Sequence, residues 1–174
     1  DRGVASDRSN PDGTAYGIFI STHADFVDYS SATTTDNPVS GGLSYNFTGL
    51  SPNVRYYVRV FAVNGDGQTG STLDLGSRYT LANPPARVIP LEVTMSGVTL
   101  GWDTAGNSSA TIYEVRGTTE NFTLSVTTYV PFAALYGENY ARLTGLLTAT
   151  TYYFDVAARN GDGRITSRIQ AYYD

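Results

Sequence analysis

Residues that commonly carry catalysis are sparse in this chain of 174 residues, which has one histidine and no cysteine. His23 lies close to Asp25, and the two could in principle serve a Ser-His-Asp triad. No motif of an activated nucleophile accompanies them. We therefore expect His23 to be an exposed loop residue and not a general base.

The carboxylates show no pattern that predicts acid–base catalysis or a metal centre. Asp7, Asn10 and Asp12 precede Gly13 in a weak likeness to a calcium loop, but their spacing is not that of an EF-hand. Asn and Asp also favour turns by bonding to their own backbone. We expect no enzymatic activity, no cofactor and no bound metal. The glutamates, none of which forms a defensible catalytic pair, are Glu92, Glu114, Glu120 and Glu138.

Sites of covalent modification are left open by the sequence. N-glycosylation sequons begin at Asn46, Asn107 and Asn121, but such matches arise by chance in a chain rich in threonine. The Ser/Thr run at 30–35 could carry O-linked sugar or could be a plain polar loop. Both modifications require glycosylation enzymes in the source organism.

Charge and hydropathy exclude several classes of partner. The net charge is −5 and no basic stripe is present, which argues against nucleic acid and against anionic membrane surfaces. No apolar run approaches the roughly 18 residues that a membrane-spanning helix needs. The partner that remains is protein, with a surface glycan as a further possibility.

The pattern of the chain is that of strands. Thr, Tyr, Val and Phe are plentiful, and these residues suit a pleated, half-buried surface. Apolar and polar residues alternate between Gly, Asn, Asp and Pro, and no window shows helical periodicity. We predict an antiparallel all-β protein, with a strand starting near Phe122, a last strand at 164–173 and a loop at 131–136.

An internal repeat divides the chain. Asn64-Gly65-Asp66-Gly67 recurs 96 residues later as Asn160-Gly161-Asp162-Gly163. Pro84 and Pro85 fix φ and remove amide donors, so they mark a stiff interdomain joint. We predict two modules, residues 1–82 and 83–174. Other matches at this spacing, or one residue more near the start, pair Tyr56 with Tyr152, Val60 with Val156, Ala62 with Ala158, Asn10 with Asn107, Thr14 with Thr111 and Tyr16 with Tyr113.

The order of strand residues resembles the fibronectin type III family. The resemblance rests on Trp102, Tyr113, Val115, Leu146, Thr150, Tyr152, Phe154, Val156, Ala158 and Asn160 in the second module. It implies two tandem immunoglobulin-like β-sandwiches, with Trp102 in strand B and Tyr56 and Tyr152 as tyrosine corners. The segments 10–16 and 80–85 look like bacterial and archaeal surface versions of the repeat.

The first module departs from the family pattern at its start. The position that aligns with Trp102 is Ala5, with only four residues before it, so strand A and nearly all of strand B are absent. Either the chain is cropped from a longer repeat protein, or another chain supplies the missing strands. Strand addition would satisfy the open edge and could build a fibre.

One face of the first module is unusually apolar. Strand alternation places Phe19, Tyr57, Phe61 and Val63 together on the outward face of the C-F-G sheet. Contiguous apolar patches often mark interfaces, so we predict lateral contacts here. The corresponding face of the second module is polar, with Arg116, Tyr153, Asp155, Ala157 and Arg159.

The function that these features favour is a non-catalytic, extracellular or cell-surface structural or adhesive protein. Its partners would be copies of itself or neighbouring repeats, assembled into a filament or surface layer. One alternative is an accessory spacer or binding module pair of a secreted glycan-active enzyme. Another is part of a receptor ectodomain.

Overall fold

Eleven β-strands and one 3₁₀ helix make up the computed structural model, which describes residue 10, residues 14–35 and residues 44–171. The prediction of an antiparallel all-β fold is confirmed, because almost all regular structure is strand. The expected loop at 131–136 contains a short 3₁₀ helix, Phe132–Ala134, which ends at Leu135 in left-handed backbone.

Contacts divide the chain into two compact units. The first unit comprises Asp1–Gly49 and Tyr56–Arg78, and the second comprises Leu50–Arg55 and Tyr79–Asp174. The segment Leu50–Arg55 is therefore part of the second unit, although it precedes a strand of the first. The division at residues 82 and 83 stays a prediction.

The first unit is built on one four-stranded sheet in the order β2-β1-β3-β4. Its core pair is antiparallel, with Ile18 of β1 opposite Val60 of β3 and Phe19 opposite Arg59. The Ser/Thr run left open by the sequence forms a strand, β2. The strands are β1 (Ala15–Ser21), β2 (Ser30–Thr35), β3 (Arg55–Val63) and β4 (Leu73–Tyr79).

The second unit contains two sheets, in the orders β5-β6-β9 and β11-β10-β7-β8. Inward residues of both sheets form one core, in which Trp102, Tyr113, Val115 and Val156 are buried. Alternation along β6, β7 and β10 places one side of each strand in that core. The strands are β5 (Ala86–Thr94), β6 (Gly97–Asp103), β7 (Ile112–Thr118), β8 (Thr127–Val130), β9 (Tyr140–Thr144), β10 (Tyr153–Arg159) and β11 (Ile169–Gln170).

Two strand boundaries differ from the sequence prediction. No strand starts near Phe122, because Asn121 and Phe122 both have positive φ, 49° and 60°, which strand backbone does not allow. Within residues 164–171 of the predicted last strand, only β11, Ile169–Gln170, is a strand, and residues 172 and 173 lie outside the described residues. The Thr166 hydroxyl accepts the Ala158 N–H at 3.1 Å, so a side chain replaces a backbone ladder bond there.

The first unit has no described counterpart of the β5-β6-β9 sheet. β9 is held as a strand by its pairing with β6. Residues 44–48, which lie 96 residues before β9, form no strand. Within residues 10, 14–35 and 44–79, no strand corresponds to β5 or β6, as the departure from the family pattern predicts.

Candidate functional site

An aromatic cluster lies on the outward face of the first unit's sheet. The Phe19 ring lies 4.9 Å from that of Phe61 and 4.5 Å from that of Tyr29, between centroids. Phe61 lies directly over Gly17, where a Cβ would approach its Cζ to 2.1 Å, so only glycine admits the ring. Tyr29 is 56% exposed and Val27 is 68% exposed. The cluster thus reaches solvent through Tyr29.

An arginine borders the aromatic cluster. The Arg59 guanidinium lies 4.1 Å from the centroid of the Phe26 ring and donates from Nε to Asp74 Oδ2 at 3.4 Å. It also donates to the Ala24 carbonyl at 3.3 Å. These contacts hold the turn that follows β1 against β3. They also place the charged side chains of Arg59 and Asp74 beside the aromatic cluster.

The structure places the four predicted interface residues on one face of β1 and β3, all of them half-buried. Phe19 and Phe61 are in contact, whereas Tyr57 and Val63 lie farther along β3, opposite Ser21 and Ala15. That these residues form an interface stays a prediction.

Sequence reasoning missed three residues of this region: Phe26, Val27 and Tyr29. Tyr29 lies outside the strands, where alternation carries no signal. The repeat did carry a signal for Phe26, because Phe122 recurs 96 residues later with the same positive φ.

The equivalent face of the second unit carries a charge network. Asp155 accepts two bonds from Arg116, at 3.1 and 2.6 Å, and one from Arg168 at 3.1 Å. Arg168 also pairs with Glu114. The Asp155 side chain is only 5% exposed, and its hydrogen bond raises the pKa of Arg116. Glu114 and Arg168 complete a face that the sequence already predicted to be polar.

The residues considered for catalysis are not brought together. His23 is exposed, and its Nδ1 lies 3.4 Å from Thr22 Oγ1. Asp25 instead accepts the Val27 N–H at 3.3 Å, which closes a turn. Of the four glutamates, Glu92 lies by the Thr99 hydroxyl and Glu120 accepts the Ser125 N–H. These contacts serve turns and strands and build no catalytic arrangement.

The weak calcium pattern falls mostly outside the described residues, which include Asn10 but neither Asp7 and Asp12 nor Gly13. Asn10 donates to the Tyr16 phenol oxygen at 2.9 Å. In the part of the chain that the structure describes, no three His, Cys, Asp or Glu side chains converge to hold a metal ion. No helix in that part is long and apolar enough to cross a bilayer.

The residues singled out as structural have distinct environments. Trp102 is buried against Tyr113, with 5.3 Å between ring centroids. Burial also raises the pKa of Tyr113. The Tyr152 phenol oxygen accepts the Leu147 N–H at 3.1 Å, a bond back to the main chain. Tyr56 is half-buried on β3.

The two prolines expected at the joint both lie inside the second unit. Pro84 is exposed, whereas Pro85 is fully buried. Pro85 is thus part of a packed unit, and its role as a joint stays a prediction.

Asn53 forms a buried polar clasp at one end of the second unit. Its Nδ2 donates to Thr111 Oγ1 at 2.7 Å, and its Oδ1 accepts the Gly161 N–H at 2.9 Å. Its carbonyl accepts the Ser108 hydroxyl at 2.6 Å. Asn53 has left-handed backbone, with φ 51°, which asparagine tolerates better than most residues. No motif or periodicity in the sequence singles out Asn53.

Comparisons with known proteins agree with this fold. The family model of the fibronectin type III domain matches residues 83–171. A receptor-type tyrosine-protein phosphatase eta from Gallus gallus is 30% identical over 142 residues, which is 79% of this chain. The chain spans only 9% of the length of that protein.

Two solved structures are similar. A two fibronectin type-III domain segment from chicken tenascin is 14% identical, with a TM-score of 0.57 and coverage of 93% of each chain. Titin module A71 from human cardiac muscle is 25% identical and covers 53% of this chain and 89% of its own, with a TM-score of 0.43. With its family model matched over half its length, and with strands and core arranged as described, the chain belongs to the fibronectin type III family.

Proposed function

We propose that this chain is a non-catalytic extracellular module with a structural or adhesive role, which associates with copies of itself or with neighbouring repeats in a filament or surface layer. Fibronectin type III domains are generally non-catalytic modules and commonly serve extracellular adhesion and structure. The tandem arrangement of two such modules and the likeness to bacterial and archaeal surface proteins stay predictions.

The aromatic cluster of the first unit is the observation that carries this proposal. Single apolar residues on a surface need no explanation. Phe19, Phe61 and Tyr29 instead form one connected aromatic cluster, the exposed Val27 lies two residues before Tyr29, and apolar patches of this kind mark interfaces. Protein is the partner that fits best, since aromatic side chains and a rimming arginine are enriched at protein interfaces.

Sedimentation velocity over a wide concentration range tests association through this face. We expect the native chain to self-associate and the double variant Val27→Asp/Tyr29→Asp to lose at least about tenfold in association constant. Both side chains are exposed, so the changes spare the core. Leu124→Asp is the matched control, because Leu124 is 76% exposed on the second unit. A native chain that stays monomeric throughout, or a control with the same loss, contradicts the proposal.

Strand addition is the finer form of assembly that we propose. Ile18, Val60 and Ala62 of the first unit are only half-buried on the face opposite the aromatic cluster. In the second unit, β5 and β6 cover the equivalent residues. A β5–β6 hairpin from another copy would therefore present matching apolar residues to this face.

A peptide of residues 86–102 tests strand addition on the full chain. We expect it to slow amide hydrogen exchange in β1 and β3, because it would cover their inner face. The matched control peptide carries V98S, L100S and W102S, which removes the inward residues of β6. Strand addition is ruled out if the native peptide neither binds nor protects these strands.

A receptor is the second candidate function. The similarity to a receptor-type phosphatase covers 79% of this chain and supports it. Fractionation of the source cells separates the two candidates. A receptor would sediment with membranes as a much larger polypeptide, and a structural polymer would stay in the insoluble extracellular material.

A further inference from the structure

Two turns of the chain begin with the same pair of residues, Asn64-Gly65 and Asn160-Gly161, and each pair is followed by Asp-Gly. The backbone of the two turns is also alike. The Asn64 N–H donates to the Gln68 carbonyl at 3.0 Å, and the Asn160 N–H donates to the Arg164 carbonyl at 2.9 Å. A difference in reactivity between the two pairs must therefore come from their surroundings in the fold.

An Asn-Gly pair can undergo a reaction within its own chain. The backbone nitrogen of the glycine loses its proton to solvent and attacks the side-chain carbon Cγ of the asparagine. A bond forms between that nitrogen and Cγ, and the Cγ–Nδ2 bond breaks to release ammonia, which takes up a proton from solvent. Water then opens the cyclic imide at one of its two C–N bonds and leaves aspartate or isoaspartate. Glycine favours this reaction because it has no Cβ to hinder the approach.

Both turns activate the side-chain carbonyl of their asparagine. Asn64 Oδ1 accepts the N–H groups of Asp66 and Gln68 at 3.1 and 2.8 Å. Asn160 Oδ1 accepts the two equivalent N–H groups at the same distances. Negative charge develops on Oδ1 when Cγ is attacked, and N–H donors that already point at this oxygen stabilise the charge. The two pairs do not differ in this respect.

The surroundings of Asn160 hold back the two atoms that must react. The Gly161 N–H donates to Asn53 Oδ1 at 2.9 Å, so the attacking nitrogen is already bound. Asn160 Nδ2, which would leave as ammonia, donates to the Thr80 carbonyl at 3.0 Å. Asn160 is also only 4% exposed. Attack by the nitrogen and departure of ammonia each require that one of these hydrogen bonds break first.

The same two atoms are unbound in the first turn. Within residues 10, 14–35 and 44–171, neither the Gly65 N–H nor Asn64 Nδ2 has a hydrogen-bond partner. Both residues are exposed, so solvent reaches the nitrogen and the leaving group. The first pair thus has the activated carbonyl of the second and lacks its protection.

We propose that Asn64 is a site of spontaneous deamidation, which converts to aspartate and isoaspartate in the folded chain while Asn160 stays intact. Water is the only co-reactant. The product places a new negative charge two residues from Asp66, and isoaspartate adds one carbon to the backbone of the turn between β3 and β4. The turn of the first unit therefore changes in charge and in length as the molecule ages. This site is independent of the association proposed for the aromatic cluster.

Timed incubation of the full native chain at mildly alkaline pH tests the proposal. Digestion with an acid protease and tandem mass spectrometry read both asparagines in the same sample, and electron-transfer fragmentation separates isoaspartate from aspartate. A zero-time sample corrects for conversion during digestion. We expect Asn64 to convert at least about a hundredfold faster than Asn160, because two protecting hydrogen bonds each account for roughly tenfold in rate.

The same incubation in denaturant is the matched control, because both pairs are then followed by the same residues and have no folded surroundings. We expect the two asparagines to convert at similar rates there. Folding should leave the rate at Asn64 nearly unchanged and should slow Asn160. Equal rates at the two asparagines in the native chain overturn the proposal. It is also overturned if folding slows Asn64 by the same factor as Asn160.

Two variants assign the difference to named atoms. Asn53→Ala removes the acceptor of the Gly161 N–H and should speed conversion at Asn160 by about tenfold. Trp102 fluorescence shows whether the second unit of this variant is folded, and if it is not, the comparison in denaturant still decides. Gly65→Ala should slow conversion at Asn64 several-fold, because a Cβ hinders the attacking nitrogen. An unchanged rate in Gly65→Ala would mean direct hydrolysis of the side-chain amide, and it would overturn the reaction proposed here.

Discussion

The inward faces of β3 and β10 carry the same residue types at matching positions, but those of β10 are more deeply buried. Val156 and Ala158 of β10 are completely buried, whereas Val60 and Ala62 of β3, at the same places in the repeat, are half-buried. Both valines have the same kind of partner, since Val156 lies opposite Val115 and Val60 opposite Ile18. The alternating pattern therefore defines the face of a strand, and a second sheet is needed to remove it from water.

The outward faces differ in chemistry on the same backbone. Phe19 and Arg59 of the first unit correspond to Arg116 and Asp155 of the second. In each unit an arginine lies near the ring of a left-handed phenylalanine, Phe26 or Phe122. Substitution on this face leaves the sheet intact and converts a charge network into an aromatic surface. Specific binding by such folds resides in surface residues of this kind.

The largest expected difference between the units is in the free energy of unfolding that each loses when an aspartate is replaced by alanine. Asp155→Ala should lower the free energy of unfolding of the second unit by about 3 kcal/mol, because it leaves two arginines beside a buried space. Asp74→Ala should cost about 1 kcal/mol or less, because Asp74 is 55% exposed and its pair with Arg59 is screened by water. Trp102, the only tryptophan, reports the second unit by fluorescence. Hydrogen exchange in β3 reports the first, and equal losses would contradict the comparison.

A matched pair of core substitutions tests the difference in burial directly. Val156→Ala should cost about 2–3 kcal/mol, since it removes two buried methyl groups and leaves a cavity. Val60→Ala should cost about 1 kcal/mol, because its side chain is already partly in water. Denaturant unfolding, followed by Trp102 fluorescence and by exchange in β3, measures both. If Val60→Ala proved as costly as Val156→Ala, the first unit would have a complete core in solution.

Much of the fold follows from the sequence for a physical reason. Alternation and Gly, Asn and Pro turns depend on local geometry, so they predict strands and their order. They fail where local rules compete, as at Phe122, whose positive φ breaks the expected strand. They also fail near the end of the chain, where the Thr166 hydroxyl takes the place of a ladder bond and β11 is short.

The proposed interaction surfaces were only partly predictable. Phe19 and Phe61 follow from strand parity, because side chains on one face recur every second residue. Tyr29 and the Asn53 clasp depend on contacts between residues far apart in sequence or outside strands, and no periodicity encodes these. The repeat holds information of this kind, since Thr14 and Gly65 match the residues that receive Asn53.

Alanine at the two equivalent glycines should have effects of opposite sign. Gly161→Ala should destabilise the second unit by about 1–2 kcal/mol, because the new Cβ would overlap the Tyr79 ring. Gly65→Ala should stabilise the first unit by up to about 0.5 kcal/mol, since alanine restricts the unfolded chain and meets no atom. Thermal melts of both variants measure this. A destabilising Gly65→Ala would show that the folded chain fills the space beside Gly65 in solution.

Alkaline pH should act on the second unit through Tyr113. Desolvation by burial raises the pKa of Tyr113 above the ordinary value of 10.0. Below about pH 10 the Tyr113 hydroxyl is protonated in both the folded and the unfolded chain. The contribution of Tyr113 to the free energy of unfolding is therefore fully present there. Above that pH the unfolded state loses its proton first, and stability falls by at most about 1.4 kcal/mol per pH unit for one such group.

Chemical denaturation between pH 8 and pH 11, followed by Trp102 fluorescence, measures this loss of stability, which we expect to begin near pH 10 and to stay within about 1.4 kcal/mol at pH 11 for Tyr113 alone. Tyr113→Phe is the control, because phenylalanine cannot ionise. Burial also raises the pKa of Tyr129 and Tyr136, so the variant should keep a shallower slope of the same sign. A variant with the slope of the native chain would show that Tyr113 ionises as readily in the folded state as in the unfolded one, and the core around Trp102 would then be open to water.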